Sequence, residues 1–304
     1  MTRGRALALM VAAPVLWSSA GVVTRHIERT EPIEQVFWRS FFAFGFVSIF
    51  LAVSGKNPVK AARAAGLPGL FSSAMWAVMF TAFVIALSLT TTANALVVMS
   101  IAPLLTVVCA RIVLTDPIPL RTWIAALAAM AGIALMFSTS MEKHAAGMLV
   151  ALVIPVASAL NVVALRKHSA QVDLIPAVML GGALSALIAL PLALPFSASG
   201  RDLALLAFLG VFQLGLPCMF LVMASRALYA PEIALIGLLE VVLGPLWAWL
   251  GAGETPAAST LIGGALVLSA LAGNELAAFR MRKGRTIIEA DPLHASALGA
   301  TRKE

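Results

Sequence analysis

Apolar residues run along this chain in stretches of about twenty, broken by short polar connections, and the stretches are apolar all round. About 20 residues of helix cross a hydrocarbon core of about 30 Å. The pattern predicts ten such spans, at residues 6–24, 33–53, 67–89, 93–114, 120–137, 147–165, 174–194, 203–223, 233–250 and 257–278. The expected fold is an all-α membrane protein. Its short connections draw the spans into one bundle. One stretch stands out: "LIGLLEVVLGPLWAWLGAG" at residues 235–253 is apolar except for Glu240.

Composition excludes a soluble domain, because 61% of residues are hydrophobic and only 12% charged, about half the usual charged share. Cys109 and Cys218 fall inside apolar runs without CxxC spacing and read as packing residues. His26, His144, His168 and His294 lie in expected loops or the tail without metal-ligand spacing, so no metal and no cofactor is expected. The net charge of +7 is the sum of bases flanking the spans and a basic tail, so a nucleic-acid partner is not expected.

Those bases set an orientation. With the N-terminus in the cytoplasm, Arg3, Arg5, Lys56, Lys60, Arg63, Arg111, Arg121, Arg166, Lys167, Arg226 and the six tail bases face inward. Only Arg25, Arg29, Arg39, Lys143 and Arg201 of the 21 face outward, as the positive-inside rule requires. Both termini are then cytoplasmic in a bacterial inner membrane. The first span resembles a signal peptide, with Arg3, Arg5 and a small-residue "SSAG". Its removal would leave nine spans and disturb the charge pattern, so it is read as retained. Residues 280–304, opening "FRMRKGR", read as a mobile cytoplasmic tail.

The chain also repeats itself. "PVLWSSAGVVTRH" from Pro14 matches "PVASALNVVALRKH" from Pro155, "ALSLTTTANAL" matches "ASRALYAPEIAL", and Asp116 in "LTDPIP" matches Glu254 in "GAGETP", all at nearly one offset. Residues 1–140 and 141–279 are therefore two five-helix repeats. Five is odd, so the second is inverted, an arrangement common in secondary transporters with the site near mid-membrane.

Ten spans, "PIEQVFWRSFFAF" with Arg39 in the second, the "AL…T" start of the fourth and the "LLE…GE.P" pattern of residues 238–256 resemble the drug/metabolite transporter superfamily, EamA type. Glu240-Val241 stands where that family usually has Glu-Pro, with Pro245 a turn later, which leaves the position of the helix break open. The richness in Trp, Phe and Met is most similar to the amino-acid exporters of the YddG type.

Helical spacing aligns Trp76, Met79, Phe80 and Phe83 on the third span, and Trp17 and Ser18 with Pro14 and Gly21 on the first. Likewise aligned are Pro155, Ser158 and Asn161; Ala95, Met99, Ala102 and Thr106; Phe212, Leu216, Met219 and Met223; and Gly237, Glu240, Gly244 and Trp247. The expected substrate site takes Trp17, Ser18, Trp76, Met79, Phe83, Met99, Asn161, Met219, Met223, Glu240 and Trp247. Aromatic planes, thioethers and a few polar groups suit a flat, partly apolar solute. The same stripes also serve helix packing. Gly237 and Gly244 also fit close helix contacts, Ser18 and Asn161 interhelical hydrogen bonds, and Trp247 and Trp249 an aromatic belt.

An acid at mid-helix is unfavourable by about 2.5–3.5 kcal/mol, so Glu240 needs a partner or a wet cavity. Three roles fit it: acceptor for a substrate ammonium, proton-coupling carboxylate, or interhelical clamp. The expectation gives hydrogen bonding more weight than charge. Arg39 either snorkels to the surface or pairs with the carboxylate of Glu34 or of substrate.

The function implied is a secondary transporter exporting small metabolites, above all amino acids with aromatic or large apolar side chains, by alternating access. Its partners are the small-molecule substrate and the lipid bilayer. A drug or cation exporter, or a nucleotide-sugar carrier, of the same fold is the alternative. An intramembrane enzyme lacks a second acid or histidine at membrane depth, and nothing matches GxxxxGK[ST]. A structural membrane subunit is the remaining class.

Overall fold

Prolines and small polar residues decide where the apolar runs start helices. Pro32, Pro58, Pro176 and Pro231 each occupy a first-turn position, where the missing N–H has no intrahelical partner to lose. Thr2, Asn57 and Ser199 cap helices by accepting from Arg5, Lys60 and Asp202 N–H groups. A computed structural model of the chain describes residues 1–24, 26–90, 92–114, 118–136, 145–252 and 258–290, and every regular element among these is helical.

In chain order these are α1 (Arg3–Trp17), α2 (Ala20–Thr24), α3 (Pro32–Val53), α4 (Pro58–Ala64), α5 (Gly66–Leu89), α6 (Thr92–Met99), α7 (Ala102–Val113) and α8 (Leu120–Met136). There follow α9 (Ala145–His168), α10 (Ile175–Ala193), α11 (Gly200–Phe208), a π-helical segment at Leu209–Gly215, α12 (Leu216–Ala224), α13 (Ala230–Gly237), α14 (Leu239–Ala252) and α15 (Ala258–Ala290). Among the described residues, six stretches are long and apolar enough to cross a membrane: Arg3–Thr24, Pro32–Val53, Gly66–Leu89, Ala146–His168, Ile175–Ala193 and Gly200–Ala224. Shorter apolar helices cover Ala102–Val113, Leu120–Leu135 and Leu261–Asn274.

Three of the ten expected spans are broken rather than continuous, the first of them at Ser18–Ser19 between α1 and α2. The fourth divides into α6 and α7 because Pro103 cannot sit in a helix interior: its ring would meet the carbonyl of Met99, where α6 ends. The ninth divides at Leu238, after Gly237 closes α13. The break thus precedes Glu240, which falls in the first turn of α14. A further difference concerns the tail, where α15 carries on to Ala290 through part of the stretch read as mobile. Asp116, Glu254, Lys143 and the 142–144 loop lie outside the described residues.

The bundle packs around α3, α5, α9 and α10, where small residues let backbones approach. A Cβ on Gly181 would sit 2.5 Å from the Trp76 Cβ, and one on Gly210 would sit 2.6 Å from the Arg39 carbonyl oxygen. Only glycine allows these contacts, and both fix the height of a site residue. Buried hydroxyls add to the packing, with Ser40 Oγ donating to Ser185 Oγ at 2.9 Å and Thr81 Oγ1 3.0 Å from the same oxygen.

Each end of the bundle is tied by polar groups. At one end Arg3 grips Glu232 through two bonds of 2.7 and 3.1 Å, and Lys56 and Arg226 both pair with Asp173 at 2.6 and 3.0 Å. Arg166 donates to the carbonyls of Ser225 and Arg226 and stacks over Tyr229. At the other end the Glu34 carboxylate accepts from Ser197 N and Oγ, Ala198 N and Trp38 Nε1. Phe37, Trp38 and Phe196 pack around it with ring centroids 4.8–5.0 Å apart. Asp202 there accepts from Glu28 N, Arg29 N and Thr30 Oγ1.

Candidate functional site

A cavity of about 140 Å³ lies inside the bundle, close to the roughly 150 Å³ that accommodates benzene. One wall comes from α5, which contributes Trp76, Met79, Phe80 and Phe83, one stripe at the 3.6-residue period. The Trp76 and Phe80 rings lie 5.6 Å apart. From α9 come Ile154, Pro155, Ser158, Asn161 and Val162; α1 adds Trp17, the last residue before that helix breaks. Met99 and Ala102 flank the α6–α7 break, and Glu240 follows the α13–α14 break. Both interruptions therefore open onto the same space. This is how broken spans present backbone and half-helix ends to a solute.

Of the expected site residues, Trp17, Trp76, Met79, Phe83, Met99, Asn161 and Glu240 are brought together around this cavity. Ser18, Met219, Met223 and Trp247 are not. Met219 is fully enclosed in the core, and Met223 packs against that core. The same span holds a π-helical segment at Leu209–Gly215, and the face it turns to the cavity is Gln213, Leu214, Cys218 and Leu221 rather than the expected Phe212, Leu216, Met219 and Met223. Phe212 is exposed instead. Trp247 Nε1 donates to Ser18 Oγ at 2.8 Å, and Ser18 Oγ donates to the Val15 carbonyl. This pair joins α14 to the break between α1 and α2.

Arg39 corrects the snorkelling expectation. It is 6% exposed, its Nη2 donates to Gln213 Oε1 at 2.8 Å, and its guanidinium carbon lies 5.8 Å from the Phe83 ring centre. Glu34 is taken by the 197–198 loop and does not pair with it. Gln213 Nε2 reaches the Trp17 carbonyl at 3.5 Å, so cation, amide and the α1 terminus form one chain. Gln213, an amide inside an apolar run of the sequence, carries the signal for this contact.

Hydrogen bonding at the cavity is incomplete in a particular way. Arg39 Nε, Trp76 Nε1 and Asn161 Nδ2 are buried donors without a hydrogen-bond partner among the described residues. Asn161 Oδ1 is used, accepting from Ser72 Oγ at 2.7 Å. The Asn161 amide therefore joins α5 to α9 through its oxygen, while its Nδ2 has no partner among the described residues. No hydrogen bond or ion pair to the Glu240 carboxylate occurs among the described residues, so the interhelical clamp has no partner there. The first turn of α14 offers it a favourable dipole, typically about 0.3–1 kcal/mol. A Cβ on Gly237 or Gly244 would meet nothing within 4 Å, so close helix contact is not what these glycines provide. Trp249 lies among side chains outside the description.

Residues 4–138 and 145–274 each match the model of the EamA-like transporter family. One solved crystal structure has 19% sequence identity to the chain, covers 92% of it and 99% of its own length, and superposes with a TM-score of 0.78. It shows that the fold is a known one. No curated protein matches the chain.

Proposed function

The chain belongs to the EamA-like transporter family, and from that premise we propose that it exports amino acids with aromatic or large apolar side chains from a bacterial cytoplasm. The family is one of membrane transporters and not of enzymes, so the chain is a multi-pass membrane protein handling a small molecule within the bilayer. The observation that carries the amino-acid reading is a pair of opposite charges. Arg39 and Glu240 line one apolar cavity without pairing with each other, and neither meets an opposite charge among the described residues. Arg39 is buried, and a buried charge left in this way is unfavourable by several kcal/mol; Glu240, half-buried, bears a smaller cost of the same kind. A zwitterion relieves both at once and adds no net charge. The Trp, Phe and Met walls then take the side chain, which supports the YddG-like specificity.

Transport in this reading proceeds by alternating access between two inverted five-helix halves, with ten spans and both termini cytoplasmic. The double family match and the paired breaks in the fourth and ninth spans support the halves. The gathering of Arg3, Lys56, Arg166 and Arg226 at one end supports the orientation. An unpartnered carboxylate facing aromatic rings also suits an organic cation, the second reading.

Counterflow in proteoliposomes decides between them. Vesicles preloaded with phenylalanine should accumulate labelled phenylalanine, and vesicles preloaded with an aromatic cation such as phenethylamine should not. Accumulation driven by phenethylamine alone would overturn the amino-acid reading in favour of the cation.

A further inference from the structure

Three helices bring to the cavity wall side chains that hold unused donors, and their chemistry is uniform. Arg39 is 6% exposed, Trp76 4% and Asn161 0%. Each keeps an N–H without a partner among the described residues: Arg39 Nε from α3, Trp76 Nε1 from α5 and Asn161 Nδ2 from α9. A buried donor left unmade costs about 1–3 kcal/mol, and more for a charged group. More than nine in ten buried polar groups find partners, so three orphans around one cavity need a common explanation. All three are donors. The missing species is therefore an acceptor.

We infer that Arg39, Trp76 and Asn161 form a subsite for a substrate carboxylate. The inference rests on the cavity being the transport site. One guanidinium and two neutral N–H groups carry a single positive charge, which matches a carboxylate monoanion. A phosphate dianion would leave the subsite itself net negative beside Glu240. The positions of the donors are held from behind: Gln213 Oε1 engages Arg39 Nη2, Ser72 Oγ engages Asn161 Oδ1, and Gly181 lets α10 close on the Trp76 Cβ. Each side chain thus has one polar or packing contact fixing it and one donor nitrogen left over. The donors come from α3, α5 and α9, whereas Glu240 comes from α14. The carboxylate end of a solute therefore meets one group of helices and its ammonium end another. A ligand that needs both ends satisfied draws these helices together, which couples binding to movement.

The test is binding of two isosteric probes to purified full-length protein, 3-phenylpropionate and its neutral carboxamide. Neither carries an ammonium, so Glu240 does not enter. The acid should bind at least tenfold more tightly than the amide. Trp76→Phe keeps the ring and deletes the N–H, and should narrow that ratio several-fold. Arg39→Gln should bring it close to one. Because the ratio compares two probes on one sample, a variant with reduced folded fraction still reports it. Equal binding of acid and amide to the wild-type protein overturns the subsite, as does a ratio unchanged in folded Trp76→Phe. Acid preference without phenylalanine counterflow leaves the subsite standing and refutes the amino-acid function. Counterflow without acid preference does the reverse.

Discussion

Replacing Glu240 by Gln keeps the size and planarity of the side chain and removes its charge. The structure supplies the expected size of the effect. An acid at mid-helix is unfavourable by about 2.5–3.5 kcal/mol, an upper bound for Glu240 in the first turn of α14, and that helix terminus returns about 0.3–1 kcal/mol. No donor among the described residues offsets the remainder, leaving about 2 kcal/mol. A buried, partly satisfied amide retains a penalty of about 1 kcal/mol. Glu240→Gln should therefore be more stable than the wild type by about 1 kcal/mol, a rise in Tm of about 2–4 °C on the scale of domains of this size. Phenylalanine counterflow should fall at least tenfold in the same protein. Stability gained with function lost is the signature of a residue kept for its substrate. Thermal unfolding in detergent and vesicle flux measure the two arms. A Gln variant less stable by 1 kcal/mol or more would reinstate the clamp, and one with full flux would remove Glu240 from the site.

Gly210→Ala should destabilise the protein by about 1–3 kcal/mol, the usual range for forced overpacking, because its Cβ meets the Arg39 carbonyl oxygen at 2.6 Å. Gly237→Ala, with open space around it, should change thermal stability little. Asp173 gives a pH dependence. Burial raises its carboxyl pKa, but the hydrogen bonds from Lys56 and Ile175 N–H and the charges of Lys56 and Arg226 outweigh this and hold it below its ordinary value. The stabilisation is complete above the unfolded value of about 4 and is lost as pH falls through the lower folded value. The Tm difference between wild type and Asp173→Asn should accordingly shrink in that acid window, and a difference independent of pH would refute the pairing. A reporter fused after Glu304 should give a cytoplasmic signal and one inserted at residues 142–144 an external one.

Much of the site was legible because α5 and α9 are regular. Trp76, Met79, Phe80 and Phe83, and Pro155, Ser158 and Asn161, follow the ideal helical period and reach the cavity as that period requires. The eighth span holds a π-helical segment, and the face it turns to the cavity, Gln213, Leu214, Cys218 and Leu221, differs from the apolar stripe of Phe212, Leu216, Met219 and Met223 that the sequence favours. Arg39 departs from its expected placement for a different reason. A cation two turns inside a span reaches the surface by default, and its real partner, Gln213, is 174 residues away. The Ser18–Trp247 bond is likewise a contact between distant segments, invisible to spacing rules. Pro103 announced the break in the fourth span, whereas the break at Leu238 carries only the weak signal of Gly237.

The central claim is that this cavity holds the transported solute and that its rings read the side chain. Counterflow of labelled phenylalanine and labelled alanine in Trp17→Ala and Trp76→Ala vesicles, alongside the wild type, tests it most directly. Phenylalanine flux should fall at least tenfold more than alanine flux in both variants, since truncation removes the aromatic wall. Equal loss of both fluxes in variants that remain monodisperse would return these rings to helix packing and contradict the claim.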